Sequence, residues 1–265
     1  MDKQNYFNSV TQQVLELKDL AAVQVEKCFD LQKLKEMLPP EIAGKIQRVI
    51  VTGCGDSYSA AGAMRPALRE LSGIYDCNAP DAVDFCRYYT ENRTLKRHRP
   101  EEVLVISISF SGNSVRAAEA LERAKNLGLY SLAITGNRAS RCGEAAELVL
   151  DVETPQGCNT PGLRSYYASL VALSAVGAYL GLCRGKLTQE RFAQIGAQIR
   201  DYTLEFMEHI GDIDTQMFET ACVMKDLRKF ETIADWNEGY SAQFVEQKLI
   251  ECGGVFCDHT TSEEF

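Results

Sequence analysis

From Ile46 to Leu182 the chain alternates short, uninterrupted apolar runs with amphipathic helical segments, and this rhythm constrains the fold more than any other feature. Arg48-Val49-Ile50-Val51-Thr52, Val103 to Ile108, Ser131 to Ile134 and Leu148 to Val152 read as strands. They are rich in β-branched residues and show no polar alternation, so both faces are expected to be covered. Between them, Ser57 to Leu71 (with Pro66 as an expected kink) and Val115 to Asn126 carry helical periodicity. Strands without a solvent face, separated by helices, specify an α/β fold with a doubly wound parallel sheet. Tyr166 to Cys183 is uncharged and close to membrane-spanning length. Tyrosines, serines and glycines interrupt it and it follows the strand-rich region, so a buried core helix is expected.

The flanks divide the chain further. Residues 1–45 read as an N-terminal helical segment in which Phe7, Val10, Val14, Leu17 and Ala21 form one apolar stripe, closed by Pro39 and Pro40. Residues 46–187 form the sheet domain. After Gly185-Lys186, Thr188 is placed to cap a helix running through Phe192, Ile195 and Ile199. Phe230 to Ala234, Glu238 to Glu251 and Val255-Phe256-Cys257 then repeat a strand–helix–strand pattern. Residues 188–265 are too few for a second domain of the first kind and are expected to be its truncated beginning.

Composition narrows the function. The formal charge of −9, from 28 basic and 37 acidic residues, opposes binding along a nucleic-acid backbone. The ten cysteines include no C-x-x-C pair and no secretory signal precedes them, so they are expected to be reduced thiols in a cytoplasmic protein. A metal site is not expected.

Two strand-to-helix loops carry the chemistry. The first is Gly53-Cys54-Gly55-Asp56-Ser57-Tyr58 and the second Ser109-Phe110-Ser111-Gly112-Asn113-Ser114. Ligands of open parallel sheets bind beyond the carboxyl ends of strands, where helix N-termini offer unpaired N–H groups. Asp56 would repel an anion but suits a sugar hydroxyl. The second loop has three hydroxyls, no acid, and Arg116 one turn on, so a phosphate is expected there. Each serine read singly is an ordinary helix cap; two such loops in one sheet favour a ligand site. A dinucleotide-binding turn competes, with Asp76 near the spacing of its ribose acid, but Tyr58 stands where that motif needs a third glycine.

These loops, with Ala82-Val83-Asp84-Phe85 and Thr160-Pro161-Gly162-Leu163-Arg164-Ser165-Tyr166, resemble the sugar isomerase (SIS) domain family. Within it they look most like the isomerase half of glucosamine-6-phosphate synthases and the fructosamine-6-phosphate deglycases. The resemblance implies a flavodoxin-like domain, commonly duplicated, acting without a cofactor on a phosphorylated sugar or amino sugar as a homo-oligomer. Carried over by position, Gly55, Asp56 and Ser57 contact the sugar, Ser109, Phe110, Ser111, Gly112, Asn113 and Ser114 surround the phosphate, and Thr160 supplies a backbone contact. Phe110 replaces the glutamine usual there, and Arg164 a lysine. Lys248-Leu249-Ile250-Glu251 matches the helix of the catalytic glutamate, with Lys248 and Glu251 on one face at i and i+3. Their alternative is a surface ion pair.

The resemblance thus implies an aldose–ketose isomerase or deglycase acting on a ketose 6-phosphate or its C1-amine adduct. The alternative is a non-catalytic phosphosugar sensor. His259 does not match the position of the family's ring-opening histidine, and His98 and His209 read as structural or solvated. Cys54 reads as a small loop filler.

Overall fold

The computed structural model describes residues 3–5, 7–157 and 161–265. Strands β1 (Arg48–Gly53), β2 (Asp76–Asn78), β3 (Val103–Ile108), β4 (Tyr130–Thr135) and β5 (Leu148–Asp151) form one parallel sheet in the order β2-β1-β3-β4-β5. Every residue of β1 and β3 is buried. Val49, Val51, Leu104 and Ile106 enter the larger core, while Ile50, Val103 and Val105 enter the core on the opposite face. That division explains why these strands carry no polar alternation. Arg48 pairs with Val103 and Gly53 with Ile108, so β1 and β3 end level. The chain moves from β1 outward to β2 and then back across to β3, which makes the β1/β3 boundary the topological switch point.

Helices α1 (Ser9–Leu15), α2 (Leu17–Cys28), α3 (Leu31–Met37) and α4 (Pro40–Ala43) precede the sheet. Within it lie α5 (Asp56–Ser72), α6 (Ala82–Arg87), α7 (Glu91–Leu95), α8 (Val115–Asn126) and α9 (Arg141–Ala145). Helix α10 (Leu163–Cys183) follows β5 and packs along α5. By length and composition α10 could cross a membrane, but 72% of its apolar window is buried inside the fold. It is the core helix that the sequence suggests. Pro66 lies inside α5, which runs on through it to Ser72.

The N-terminal segment departs from the expected single stripe. Asn8 caps α1 and Asp30 caps α3, and the breaks between helices shift the register of the buried face. Leu20, Ala21, Gln24, Val25 and Cys28 are buried, whereas Phe7 is 61% exposed and Val10 and Val14 are only partly covered. Two polar residues replace apolar ones because each finds backbone partners. Gln13 Oε1 accepts from the N–H groups of Leu163 and Arg164, at 3.0 and 3.3 Å, and Gln24 Nε2 donates to the Glu153 carbonyl at 3.0 Å.

Helices α11 (Gln189–Glu208) and α12 (Ile210–Met224) lead to β6 (Lys229–Ile233), α13 (Trp236–Gly253) and β7 (Phe256–Thr260). β6 and β7 form a separate two-stranded parallel sheet, Lys229 opposite Phe256. Thr188 caps α11, accepting from the Arg191 N–H. Strand β7 starts one residue later than the sequence suggests and extends to Thr260, so His259 lies within it. β2 escaped the sequence reading because its three residues, Asp76-Cys77-Asn78, carry no apolar run.

Candidate functional site

Both serine-bearing loops leave the sheet at its switch point. After β1 the chain enters α5 within two residues. A side chain at Gly53 would bring its Cβ to 2.8 Å from Ser57, and Gly55 adopts φ +53°, a conformation that favours glycine. Asp56 opens α5 and Ser57 follows in its first turn, partly exposed. Cys54 is exposed at the turn.

The second loop is more tightly folded. Ser109 is buried and its N–H donates to the Ile134 carbonyl. The Phe110 carbonyl accepts from the Gly136 N–H at 2.8 Å while its half-covered ring packs on the core. Ser111 and Asn113 face solvent, with Ser111 Oγ accepting from the Asn113 N–H at 3.3 Å. Gly112, at φ +70°, would drive a Cβ to 1.8 Å from Ser140 Oγ. Ser114 caps α8 by accepting from the Ala117 N–H at 3.3 Å. Its hydroxyl also donates to Cys54 Sγ at 3.5 Å, stitching the two loops together. Arg116 turns to Glu119 at 2.5 Å, so its charge is already partnered.

Helix α13 brings in the third part. It lies close against α5 because Gly62 has no side chain: a Cβ there would fall 2.2 Å from the Tyr240 ring. Tyr58 meets Tyr240 edge to face, and Ser59 Oγ donates to Gln243 Oε1 at 3.4 Å. Two turns on, Lys248 Nζ donates to Asp56 Oδ2 and to the Pro161 carbonyl, both at 2.8 Å, and to Glu251 Oε2 at 2.7 Å. The ammonium has three N–H bonds and three acceptors, supplied by α5, the segment entering α10, and α13 itself. Lys248 thus joins one of the two loops to its i+3 neighbour on α13.

Burial pushes the Asp56 carboxyl above the usual carboxylate range, and the hydrogen bond and charge of Lys248 offset this only in part. Burial works against the Lys248 ammonium too, but Asp56 and Glu251 outweigh it and hold its pKa above the usual value. Asp56 Oδ1 is buried without a hydrogen-bond partner. The Glu251 side chain is 53% exposed, against 12% for Lys248.

The expected site residues therefore divide. Gly55, Asp56 and Ser57 adjoin Ser114 through Cys54, and Lys248 and Glu251 reach Asp56. Thr160 lies outside the described residues. Asp56, expected to face a sugar hydroxyl, has one carboxylate oxygen engaged by Lys248. Arg164 is buried, donating to the Pro155 carbonyl at 2.8 Å and pairing with Glu16 at 3.2 Å. The Pro161 carbonyl and the Tyr58–Tyr240 contact were not foreseen, since neither belongs to a local pattern. A cleft of about 230 Å³ opens beside that contact, lined by Tyr58, Trp236, Tyr240, Gln243 and His259.

His98, His259 and Asp76 find structural partners. Asp76 pairs with buried Arg48, with Lys96 at 3.0 Å and with His98 at 3.2 Å, which removes it as a ribose-binding acid. His259 Nδ1 lies 3.2 Å from the Thr232 carbonyl, within the small sheet. His209 links α11 to α12.

A five-stranded parallel sheet of order 2-1-3-4-5, with glycine- and serine-bearing loops at its switch point, defines a doubly wound α/β protein. The sequence profile of the SIS domain matches residues 44–180, just over half the chain, and the chain belongs to the SIS domain family. It is 30% identical over 161 residues to a glutamine–fructose-6-phosphate aminotransferase (isomerizing) of Pseudomonas syringae pv. tomato, matching 60% of this chain and 25% of that protein. A homologue from Gloeobacter violaceus bearing the same name is 26% identical over 68% of this chain and 28% of its own length. The chain thus spans about a quarter of the length of these curated relatives.

Among solved structures, the fold matches the C-terminal domain of glucosamine-fructose-6-phosphate aminotransferase from Francisella tularensis. The TM-score is 0.79 at 16% identity, over 100% of this chain and 72% of that one. Tagatose-6-phosphate ketose/aldose isomerase from Escherichia coli matches with a TM-score of 0.63 at 16% identity, over 98% and 70% of the two chains.

Proposed function

We propose that the switch-point crevice binds a phosphorylated sugar or amino sugar and that the protein is an aldose–ketose isomerase or deglycase. The carrying observation is the convergence of three elements: two glycine- and serine-bearing loops tied by Ser114 and Cys54, and a Lys248–Glu251 pair joined to the first loop through Asp56. The SIS family and the sugar-phosphate names of its relatives support the reading.

In this reading the phosphate lies at the β3–α8 loop. The first-turn N–H groups of α8 and the Ser109, Ser111 and Ser114 hydroxyls donate to it, with Gly112 and Asn113 shaping its cradle and Phe110 closing the inner side. The sugar runs past Gly55 and Ser57 and the Thr160 backbone towards Glu251. Glu251 removes a proton from the carbon beside the carbonyl and returns it to the neighbouring carbon, while the Lys248 ammonium, 2.7 Å away, orients that carboxylate. With a C1-amine adduct the same relay moves the proton from C1 to C2 and leaves an imine at C1, which water hydrolyses to the aldose phosphate and the free amine. The unit β6–α13–β7 is the beginning of a second domain of the same type, and the protein works in the cytoplasm as a homo-oligomer of two or more copies.

The test is calorimetric titration with glucose 6-phosphate, fructose 6-phosphate and a fructosamine 6-phosphate, each compared with inorganic phosphate. The sugars are expected to bind more tightly, and Glu251→Gln to abolish turnover while keeping binding. Binding no tighter than inorganic phosphate refutes the proposal. Tight binding with no turnover in the unaltered protein identifies the sensor instead.

A further inference from the structure

The SIS profile begins at residue 44, so helix α1 lies outside it, yet α1 reaches the edge of the crevice. Gln13 is fully buried, and its neighbours fix the orientation of its amide. Oε1 accepts from the Leu163 and Arg164 N–H groups at 3.0 and 3.3 Å, and Nε2 donates to the Ser9 carbonyl at 3.4 Å. Those two N–H groups belong to the first turn of α10, where no intrahelical acceptor exists. Gly162 precedes them at φ +96° and has no side chain with which to cap the helix. Gln13 therefore caps α10 from another helix, 150 residues away in the chain.

A second contact runs beside the first. Arg164, 3% exposed, pairs at 3.2 Å with Glu16, the residue that closes α1, and donates to the Pro155 carbonyl at 2.8 Å. Its guanidinium fills the space left by Gly157, where a Cβ would collide with it. On its other side the entry to α10 touches the Lys248 cluster. The Pro161 carbonyl accepts from Lys248 Nζ at 2.8 Å, and a Cβ at Gly162 would stand 2.9 Å from Asp56 Oδ2. Pro161 and Leu163, two residues apart, are thus held by Lys248 and by Gln13. The β3–α8 loop is braced separately, by the Gly136 and Cys142 N–H groups, which donate to the Phe110 and Gly112 carbonyls at 2.8 and 2.9 Å.

We infer that Gln13 is a positioning residue of the crevice: its buried amide sets where the entry to α10 lies, and so where the Pro161 carbonyl and Lys248 stand relative to Asp56 and Glu251. This rests on the reading of the crevice as a phosphosugar site, in which the sugar passes the segment entering α10 and the phosphate lies on the separately braced loop. It extends the working site to a helix that the family profile does not include. The consequence is selective. Loosening the entry to α10 weakens the hold on the sugar and leaves the hold on the phosphate unchanged.

The experiment is calorimetric titration of the unaltered protein, Gln13→Leu, Gln13→Glu and Glu16→Ala with fructose 6-phosphate and with inorganic phosphate, beside thermal melts. Leucine keeps the bulk of the side chain but leaves the Leu163 and Arg164 N–H groups without their acceptor. Affinity for fructose 6-phosphate is expected to fall about tenfold in Gln13→Leu, with that for inorganic phosphate unchanged. Gln13→Glu keeps an acceptor oxygen at the positive end of α10 and should restore the sugar affinity. Glu16→Ala, at a partly exposed position, should lower the sugar affinity alone and serves if Gln13→Leu does not fold. Unchanged fructose 6-phosphate affinity in the folded variant overturns this inference and leaves the phosphosugar reading intact. Parallel losses for both ligands, with a lowered Tm, overturn it too, since they reveal a structural role alone. A loss that Gln13→Glu does not reverse overturns the capping role. Fructose 6-phosphate binding no tighter than inorganic phosphate in the unaltered protein overturns both readings.

Discussion

Lys248 and Asp56, 192 residues apart in the chain, meet through a 2.8 Å ion pair that fastens α13 to the first turn of α5. The same ammonium grips the Pro161 carbonyl ahead of α10, so one side chain joins three elements that share no local sequence relationship. Its removal therefore reads out both stability and site geometry.

Lys248→Met should destabilise the protein by about 1–3 kcal/mol, because it leaves the enclosed Asp56 carboxylate without its cation. Adding Asp56→Asn should recover part of that loss, since no buried charge then remains. Urea denaturation of the single and double variants measures the coupling. Strictly additive losses would show that the pair contributes nothing.

The pH dependence follows from the same contacts. The folded-state pKa of Asp56 lies above its ordinary 3.8, so the native state binds that proton more tightly than the unfolded chain does. Its contribution is complete below pH 3.8 and is lost as pH rises through the folded value. Lys248 lies above its ordinary 10.5, so its stabilisation is complete below pH 10.5 and is lost as pH rises through its own folded value. Alkaline stability profiles of the unaltered protein and Lys248→Met should converge above pH 10.5; parallel curves would contradict the assignment.

Gly62→Ala tests how α13 is seated. The new Cβ would stand 2.2 Å from the Tyr240 ring, and overpacking of this kind costs about 1–3 kcal/mol. Hydrogen exchange over residues 236–253 should accelerate while β1 and β3 stay protected. Tyr240→Ala in the same chain should restore protection by opening space. Unchanged exchange in Gly62→Ala would mean that α13 accommodates the methyl group by sliding.

Asp76→Ala removes the carboxylate facing Arg48, whose side chain is 1% exposed. A buried guanidinium deprived of its counter-charge costs about 3 kcal/mol, even though Arg48 keeps its bonds to the Thr94 and Arg93 carbonyls. Lys96→Ala, at an exposed partner of the same acid, should cost under about 1 kcal/mol. Burial opposes ionisation of Asp76, but Lys96, Arg48 and His98 outweigh it and hold its pKa below the usual value. Its stabilisation is therefore present above pH 3.8 and lost as pH falls through the folded value. Thermal melts of the two variants at neutral pH separate the effects; equal losses would refute the ranking.

Several features are legible in the amino-acid sequence alone. Runs such as Val103 to Ile108 have no polar side, and only a sheet covered on both faces buries them. The glycines of the two loops mark sharp turns: a side chain at Gly53 or Gly112 would collide with Ser57 or Ser140, and Gly55 takes a positive φ of +53° with open space around it. Lys248 and Glu251 share a helical face through their spacing alone. The N-terminal stripe misled because the helix breaks at Glu16, between α1 and α2, and polar Gln13 became a buried partner of α10. β2 left no periodic trace because three residues held by a parallel neighbour need no apolar pattern of their own.

By itself the amino-acid order determined the layered architecture, the two glycine- and serine-bearing loops and the helix carrying Lys248 and Glu251, because backbone propensity and apolar periodicity act over a few neighbouring residues. Only the folded molecule decided that Asp56 faces Lys248, that Arg164 and Asp76 are structural, and that Arg116 is spent on Glu119. Those pairings depend on how helices cross and which side chains the crossing leaves out of water. Charge and burial fix them across distances in the chain that no local pattern spans.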